Sequence, residues 1–189
     1  MRAPYSASEK SIEKFVQERD HWLAVHLEQV RNRRELNLEN AQTLVLFGRP
    51  YTIREGRAKM ADGVIYLPAV NRESALLRLI KIAAAREMTN TVEDIAWRYG
   101  FQYANVRISA ARTRWGSCSK KGVLSFSCML AFVDPALAVY VAVHELCHTR
   151  YFNHSYNFWR EVEEILPDWR KLRAALKQEE DCLEYLRNC

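Results

Sequence analysis

The five cysteines of this chain (Cys118, Cys128, Cys147, Cys182 and Cys189) contain no C-x-x-C pair. An odd number without that spacing argues against a disulfide framework and against a cysteine-based zinc knuckle. No apolar run is long enough to cross a bilayer, since Arg, Lys or Glu interrupts every candidate. The opening MRAPYSASEKSIEKF lacks the apolar centre of a secretory signal, so a cytoplasmic protein is the expectation. A further absence is local. No Asp or Glu falls between Ile95 and Val133, where Arg98, Arg107, Arg112, Arg114, Lys120 and Lys121 all lie. Such a stretch is either a solvated basic face or a region that draws anionic substrates: phosphates, nucleic acid or acidic peptide.

What is present fits one globular domain: 189 residues, 49% apolar and 27% charged, with a net charge of +5. Ile12, Phe15, Val16, Leu23 and Leu27 recur at helical spacing among many charges. They predict an N-terminal helical extension over residues 1–40, ahead of a domain spanning 41–189. Between Thr43 and Leu67, apolar runs broken by Gly and Pro predict two or three strands. Asn71 is placed to cap a helix reaching about Met88, and Thr91 a shorter one closed by Gly100. Asn105–Ala111 and Gly122–Cys128 read as strands bracketing RTRWGSCSKK. Asp134-Pro135 starts a helix that runs through His144 and His148 to about Asn153. Ser155 opens another, stopped by Pro167, and an amphipathic helix follows to about Leu186. The class is α+β.

Three of the five histidines fall in VAVHELCHTRYFNHS. His144 and His148 are one helical turn apart, so they differ by about 40° in direction and about 6 Å in height, and both imidazoles can meet one ion. Glu145 points about 100° from His144, beside the ion without ligating it. Water on zinc is acidified to a pKa of about 7 and needs a carboxylate to take its proton; H-E-x-x-H supplies both parts. The alternative is a satisfied core or surface histidine pair, but the apolar flank AVYVAV marks a buried helix, where such groups need a partner. The third ligand is expected to be His154, folded back by a turn in which Asn153 adopts the left-handed conformation. Glu161, Glu164 and Asp168 are its rivals. Cys147, about 80° from the histidine face, reads as a buried thiol.

RTRWGSCS, HELCH and NHSYNFW together resemble the YgjP-like metallopeptidase family, over about Thr43 to Leu176 and most strongly from Arg112 to Trp159. The resemblance implies a zincin-like α+β domain, with a small antiparallel sheet packed on the active-site helix, and zinc as cofactor. It implies His144, His148 and His154 as metal ligands and Glu145 as general base. In its fold the family is similar to the SprT-type proteases, which act on proteins attached to DNA. Ser125-Phe126-Ser127 departs from the pattern, which often has Asn near the third place. The histidine spacing also equals that of the metzincins, but those carry Gly where this chain has Tyr151.

Around this centre, Arg112 and Arg114 share one side of an extended chain and can clamp a carboxylate or phosphate. Their structural alternative is an ion pair with Glu163 or Glu164. Trp115, Gly116 and Ser117 sit between predicted strands, where Gly admits close approach of backbone or ligand, and Trp115 is either substrate wall or core. Asn153 and Ser155 either orient His154 or cap helix ends. Phe158 and Trp159 continue the apolar stripe of Val162 and Leu166 and read as core. The leading expectation is a zinc-dependent peptidase acting on peptide or protein, with no membrane partner. A metal-dependent nucleoside triphosphate pyrophosphatase and a DNA-associated protein are the alternatives. An all-imidazole site argues against the first, because phosphate substrates usually call for Mg²⁺ held by carboxylates. The second predicts affinity that falls steeply with salt.

Overall fold

The structure, a computed structural model, describes residues 42–111 and 113–186. The chain divides into two units, Met1–Ala41 and Gln42–Cys189. The expected extension over 1–40 lies outside the described residues, as does Arg112.

Phe47-Gly48 (φ 50° and 71°) and Asp62-Gly63 (φ 52° and 73°) are both left-handed at both positions. That is the conformation of a two-residue hairpin turn. Each folds its flanks into an antiparallel pair: β1 (Thr43–Leu46) with β2 (Arg49–Glu55), and β3 (Lys59–Ala61) with β4 (Val64–Leu67). β2 and β4 pair in parallel, giving the order β1-β2-β4-β3. The region therefore holds four strands, where the sequence suggested two or three. Phe47 N–H donates to Ala131 O at 2.7 Å, tying this sheet to the rest of the unit.

Arg72–Tyr99 is one continuous helix, α1. Two were expected, divided at Thr91. The Thr91 hydroxyl instead donates to Glu87 O at 2.8 Å, which satisfies it inside the helix and leaves no break. Asn71 precedes the helix at φ 58° without a side-chain cap, and Gly100 closes it as expected.

The second sheet comprises β5 (Asn105–Ser109), β6 (Gly116–Cys118) and β7 (Val123–Ser127), ordered β5-β7-β6. β6 and β7 are antiparallel, but β5 runs parallel to β7. The sheet beside the active-site helix is thus mixed instead of antiparallel, because the chain passes to the opposite edge before entering β7. Ser127, at the place where Asn was expected, is 1% exposed. Its hydroxyl donates to Ala111 O at 2.6 Å and accepts from Met129 N at 3.2 Å, starting a 3₁₀ turn over Cys128–Phe132. Its role is structural, with no face toward a ligand.

Asp134 caps α2 (Pro135–Cys147) by accepting from Ala136 N at 2.7 Å, with Pro135 in the first turn. Leu137, Val141, Ala142, Val143 and Leu146 are buried, so α2 is the central element of the core. It packs against α1, β6, α3 (Tyr156–Ile165) and α4 (Trp169–Leu186). α2 ends at Cys147, short of the expected Asn153. The stop has a visible cause. The N–H groups of Thr149 and Arg150 bond to Leu146 O and Cys147 O, and the Thr149 hydroxyl also donates to Leu146 O. Arg150 fixes the turn by donating to Tyr99 O, Gly100 O and Glu161, with its guanidinium 4.1 Å from the Phe101 ring centroid. Among the described residues no helix is long and apolar enough to cross a membrane.

Candidate active site

His144 projects from the last full turn of α2, His148 caps that helix, and His154 comes from the turn before α3. The short turn brings all three rings to one point. His144 Nε2 lies 3.2 Å from His148 Nε2 and 3.1 Å from His154 Nε2. Two nitrogens at about 2.0–2.1 Å from a tetrahedral zinc stand roughly 3.3 Å apart, which matches both distances from His144, and the ligand atoms of all three residues lie within 4.8 Å of one another. Asn153 is not among the left-handed residues. The reversal is made by the hydrogen-bonded turn after Cys147, without the strained conformation that the sequence suggested.

Tautomers favour the same reading. Tyr151 O can only accept, so His148 Nδ1–H donates to it at 2.9 Å, leaving Nε2 with its lone pair toward the cluster. A neutral His144 has a single N–H, while its Nε2 faces two nitrogens and its buried Nδ1 has no partner. One proton cannot satisfy that arrangement, whereas one cation satisfies all three Nε2 atoms. Burial, then the neighbouring imidazoles and the Arg173 charge, push the His144 pKa down to about 3. The ring is therefore neutral and available as a ligand at physiological pH.

Among the described residues, these histidines are the one group of ligating side chains close enough to hold a metal. The rival carboxylates are engaged elsewhere: Glu161 with Arg150, Glu164 with Arg160 at 3.7 Å, and Asp168 with Lys171 at 2.8 Å. Phe158, fully buried, supports the cluster, with its ring centroid 4.6–5.0 Å from all three imidazoles. Trp159 stacks on His154 at 5.4 Å and on Trp169 at 4.2 Å. Asn153 and Ser155 make no side-chain hydrogen bond among the described residues, so aromatic packing holds His154 in their place.

Glu145 is 6% exposed. Burial raises its pKa to about 8 against the lowering effect of Arg114. Its carboxylate lies against β6, where a Cβ on Gly116 would stand 2.7 Å from Glu145 Oε1 and 2.9 Å from Val141 Cγ1. The close approach expected of this glycine is thus to the helix carrying the carboxylate. Burial and Glu145 together raise the Cys118 thiol to about 11, and burial, with Glu161 adding to it, takes Cys147 to about 12. Both sulfurs are therefore protonated thiols at neutral pH.

The family model for the YgjP-like metallopeptidase domain matches residues 1–179. The chain belongs to the YgjP-like metallopeptidase family. It is accordingly a metal-dependent hydrolase. Two solved metallopeptidase zymogens are similar to it: abylysin of Pyrococcus abyssi (23% identity, 49% of this chain and 93% of that one, TM-score 0.45) and jannalysin of Methanocaldococcus jannaschii (20% identity, 49% and 95%, TM-score 0.44). No curated protein matches the chain significantly.

In this YgjP-like chain a cleft of about 800 Å³ reaches the cluster at His144. Its floor is Tyr140, Val141, His144 and Glu145 of α2, with Arg114, Trp115 and Gly116 contributed from the β6 side and Trp169, Arg170, Arg173 and Lys177 from α4. Trp115 is at once wall and core, being 7% exposed. Ser117 lies on β6 opposite Ser125 and does not line the cleft. Arg114 forms no ion pair with Glu163 or Glu164, which pair with Arg170 and Arg160. Tyr140 and the α4 residues escaped sequence reasoning. Tyr140 had a signal, since it stands one helical turn before His144; the α4 residues had none, because only tertiary packing brings that helix to the cleft.

Proposed function

We propose that the chain is a zinc peptidase in which His144, His148 and His154 hold the metal and Glu145 acts as general base. The observation that carries this reading is the convergence of three Nε2 atoms next to a buried carboxylate that makes no ion pair among the described residues. An all-imidazole set suits zinc or another transition metal, and poorly suits Mg²⁺. When bound, zinc supplies a Lewis acid for the scissile carbonyl and lowers the pKa of water to about 7. Glu145 takes up the water proton at a carboxylate oxygen and returns it to the leaving amine. Burial raises this carboxyl to about 8 in the metal-free site, against the lowering effect of Arg114; a base must be ionised to accept the proton, and a dication held beside it favours that ionised form.

β6 stands at the edge of its sheet and borders the cleft. An edge strand supports pairing with an extended peptide, which would place the scissile bond along the floor. Tyr140 and Arg114 line that floor and wall, suited to the charge that builds on a tetrahedral carbon. The test is Glu145→Gln in full-length protein, assayed on a peptide and unfolded-protein panel alongside metal analysis. Retained zinc with hydrolysis abolished is expected; unchanged turnover would remove the mechanism.

A further inference from the structure

Four of the five charged side chains lining the cleft, other than His144, are basic: Arg114, Arg170, Arg173 and Lys177, with Glu145 the lone acid. Arg170 is committed, pairing with Glu163 at 2.6 Å and lying 4.6 Å from the Trp169 ring centroid. Arg114, Arg173 and Lys177 are exposed and form no ion pair among the described residues. Three of the nearby acids are engaged elsewhere: Glu163, Glu164 and Asp168 pair with Arg170, Arg160 and Lys171.

Arg173 and Lys177 are one turn apart and share a face of α4. The Arg173 guanidinium sits 5.0 Å from the centroid of Trp159, the ring that stacks on His154. Arg173 therefore stands beside the histidine cluster, and Lys177 lies further along the same wall. Cations without an ion pair among the described residues, set on the walls of a concave site, focus a positive potential into it, and a bound dication strengthens it.

We propose that this cleft selects peptide segments carrying acidic side chains beside the scissile bond, with Arg173 and Lys177 on one wall and Arg114 on the other receiving the carboxylates. The inference rests on the peptidase reading. A peptide is favoured over a nucleoside triphosphate by the edge strand β6 and by the metal group: among the described residues no carboxylate cluster of the kind that holds Mg²⁺ is present.

The test uses full-length zinc-loaded Glu145→Gln protein and fluorescein-labelled peptides identical except for Glu, Gln or Lys flanking the central bond, followed by anisotropy at low and high salt. The Glu peptide is expected to bind roughly ten-fold tighter than the Gln peptide, and the Lys peptide more weakly than either. The gap is expected to shrink at high salt and to fall to about two-fold in Arg173→Gln/Lys177→Gln. Both positions are exposed, but Arg173 also lies on Trp159, so a melting curve and the zinc content of the double variant separate loss of the gap from damage to the Trp159–His154 stack. Equal binding of Glu and Gln peptides, a gap that survives the double substitution, or no peptide binding at all overturns the inference. If wild-type protein cleaves neutral peptides as fast as acidic ones, the inference fails and the peptidase reading stands. If it hydrolyses a nucleoside triphosphate and no peptide, both fail.

Discussion

Gly116→Ala is a one-methyl perturbation aimed at the placement of the proposed base. The added Cβ would stand 2.7 Å from Glu145 Oε1, 2.8 Å from Glu145 Cγ and 2.9 Å from Val141 Cγ1. Non-bonded atoms settle near 3.5–4.0 Å, so either the carboxylate or the strand must retreat by roughly 1 Å. The strand is held on its inner side by pairing with Phe126 and by Ser127 N–H donating to Trp115 O at 2.8 Å. Val141 blocks the rest of the α2 surface. The movable group is the Glu145 side chain. Overpacking of this kind costs about 1–3 kcal/mol, or about 2–4 °C in Tm per kcal/mol for a chain of this size. A catalytic group displaced by 1 Å loses about 100-fold in rate. The assay is kcat on a cleaved peptide, with zinc content and a melting curve on the same sample. Full zinc, a modestly lower Tm and kcat reduced about 100-fold are expected. Unchanged kcat and Tm would show that β6 does not confine Glu145, refuting the placement.

The remaining expectations concern the ligands, their support and the metal-free protein. His154→Ala is expected to weaken zinc by more than about 100-fold in a chelator competition, since it removes a direct ligand; full retention would put the third ligand elsewhere. Phe158→Ala removes a fully buried ring touching all three imidazoles, so a loss of about 3–5 kcal/mol in denaturant unfolding and weaker zinc binding are expected together. Loss of stability at unchanged zinc affinity would limit Phe158 to core packing. In the presence of chelator, Glu145 keeps a proton up to about pH 8 that the unfolded chain releases near 4.5, so its stability contribution is lost as pH rises through that window. Metal-free Glu145→Gln is therefore expected to gain on wild type by a few kcal/mol between pH 5 and pH 8; a gain independent of pH contradicts the burial. His144, lowered from 6.5 to about 3, runs the other way, and metal-free wild type is expected to lose stability as pH falls through that range.

The centre was legible because one helical turn fixes geometry. The spacing of His144, Glu145 and His148 dictates direction and height on any helix, and Asp134-Pro135 marks where that helix begins. Wherever local signals sufficed, as at Gly100, Ser155 and Pro167, the element ends were also readable. The misreadings come from interactions that sequence does not display. Thr91 looked like a cap until its hydroxyl found Glu87 O, and α2 stopped early because Arg150 reaches 50 residues back to Gly100 O. The antiparallel sheet implied by the resemblance proves mixed, because the chain crosses from β5 to the opposite edge at β6, and such a crossing leaves no mark in composition. Likewise, the clamp read from Arg112 and Arg114 left out Arg173 and Lys177, which reach the cleft only through the packing of α4 on α2.

The central claim is that three imidazole Nε2 atoms converge on a single metal ion. X-ray absorption at the zinc edge, on full-length protein loaded with one equivalent, measures that directly. The account predicts stoichiometric binding and a shell with three nitrogen neighbours of imidazole type at about 2.0–2.1 Å, reduced by one in His154→Ala. A chain that stays metal-free with zinc supplied, or a shell containing sulfur or fewer than three imidazoles, would contradict it.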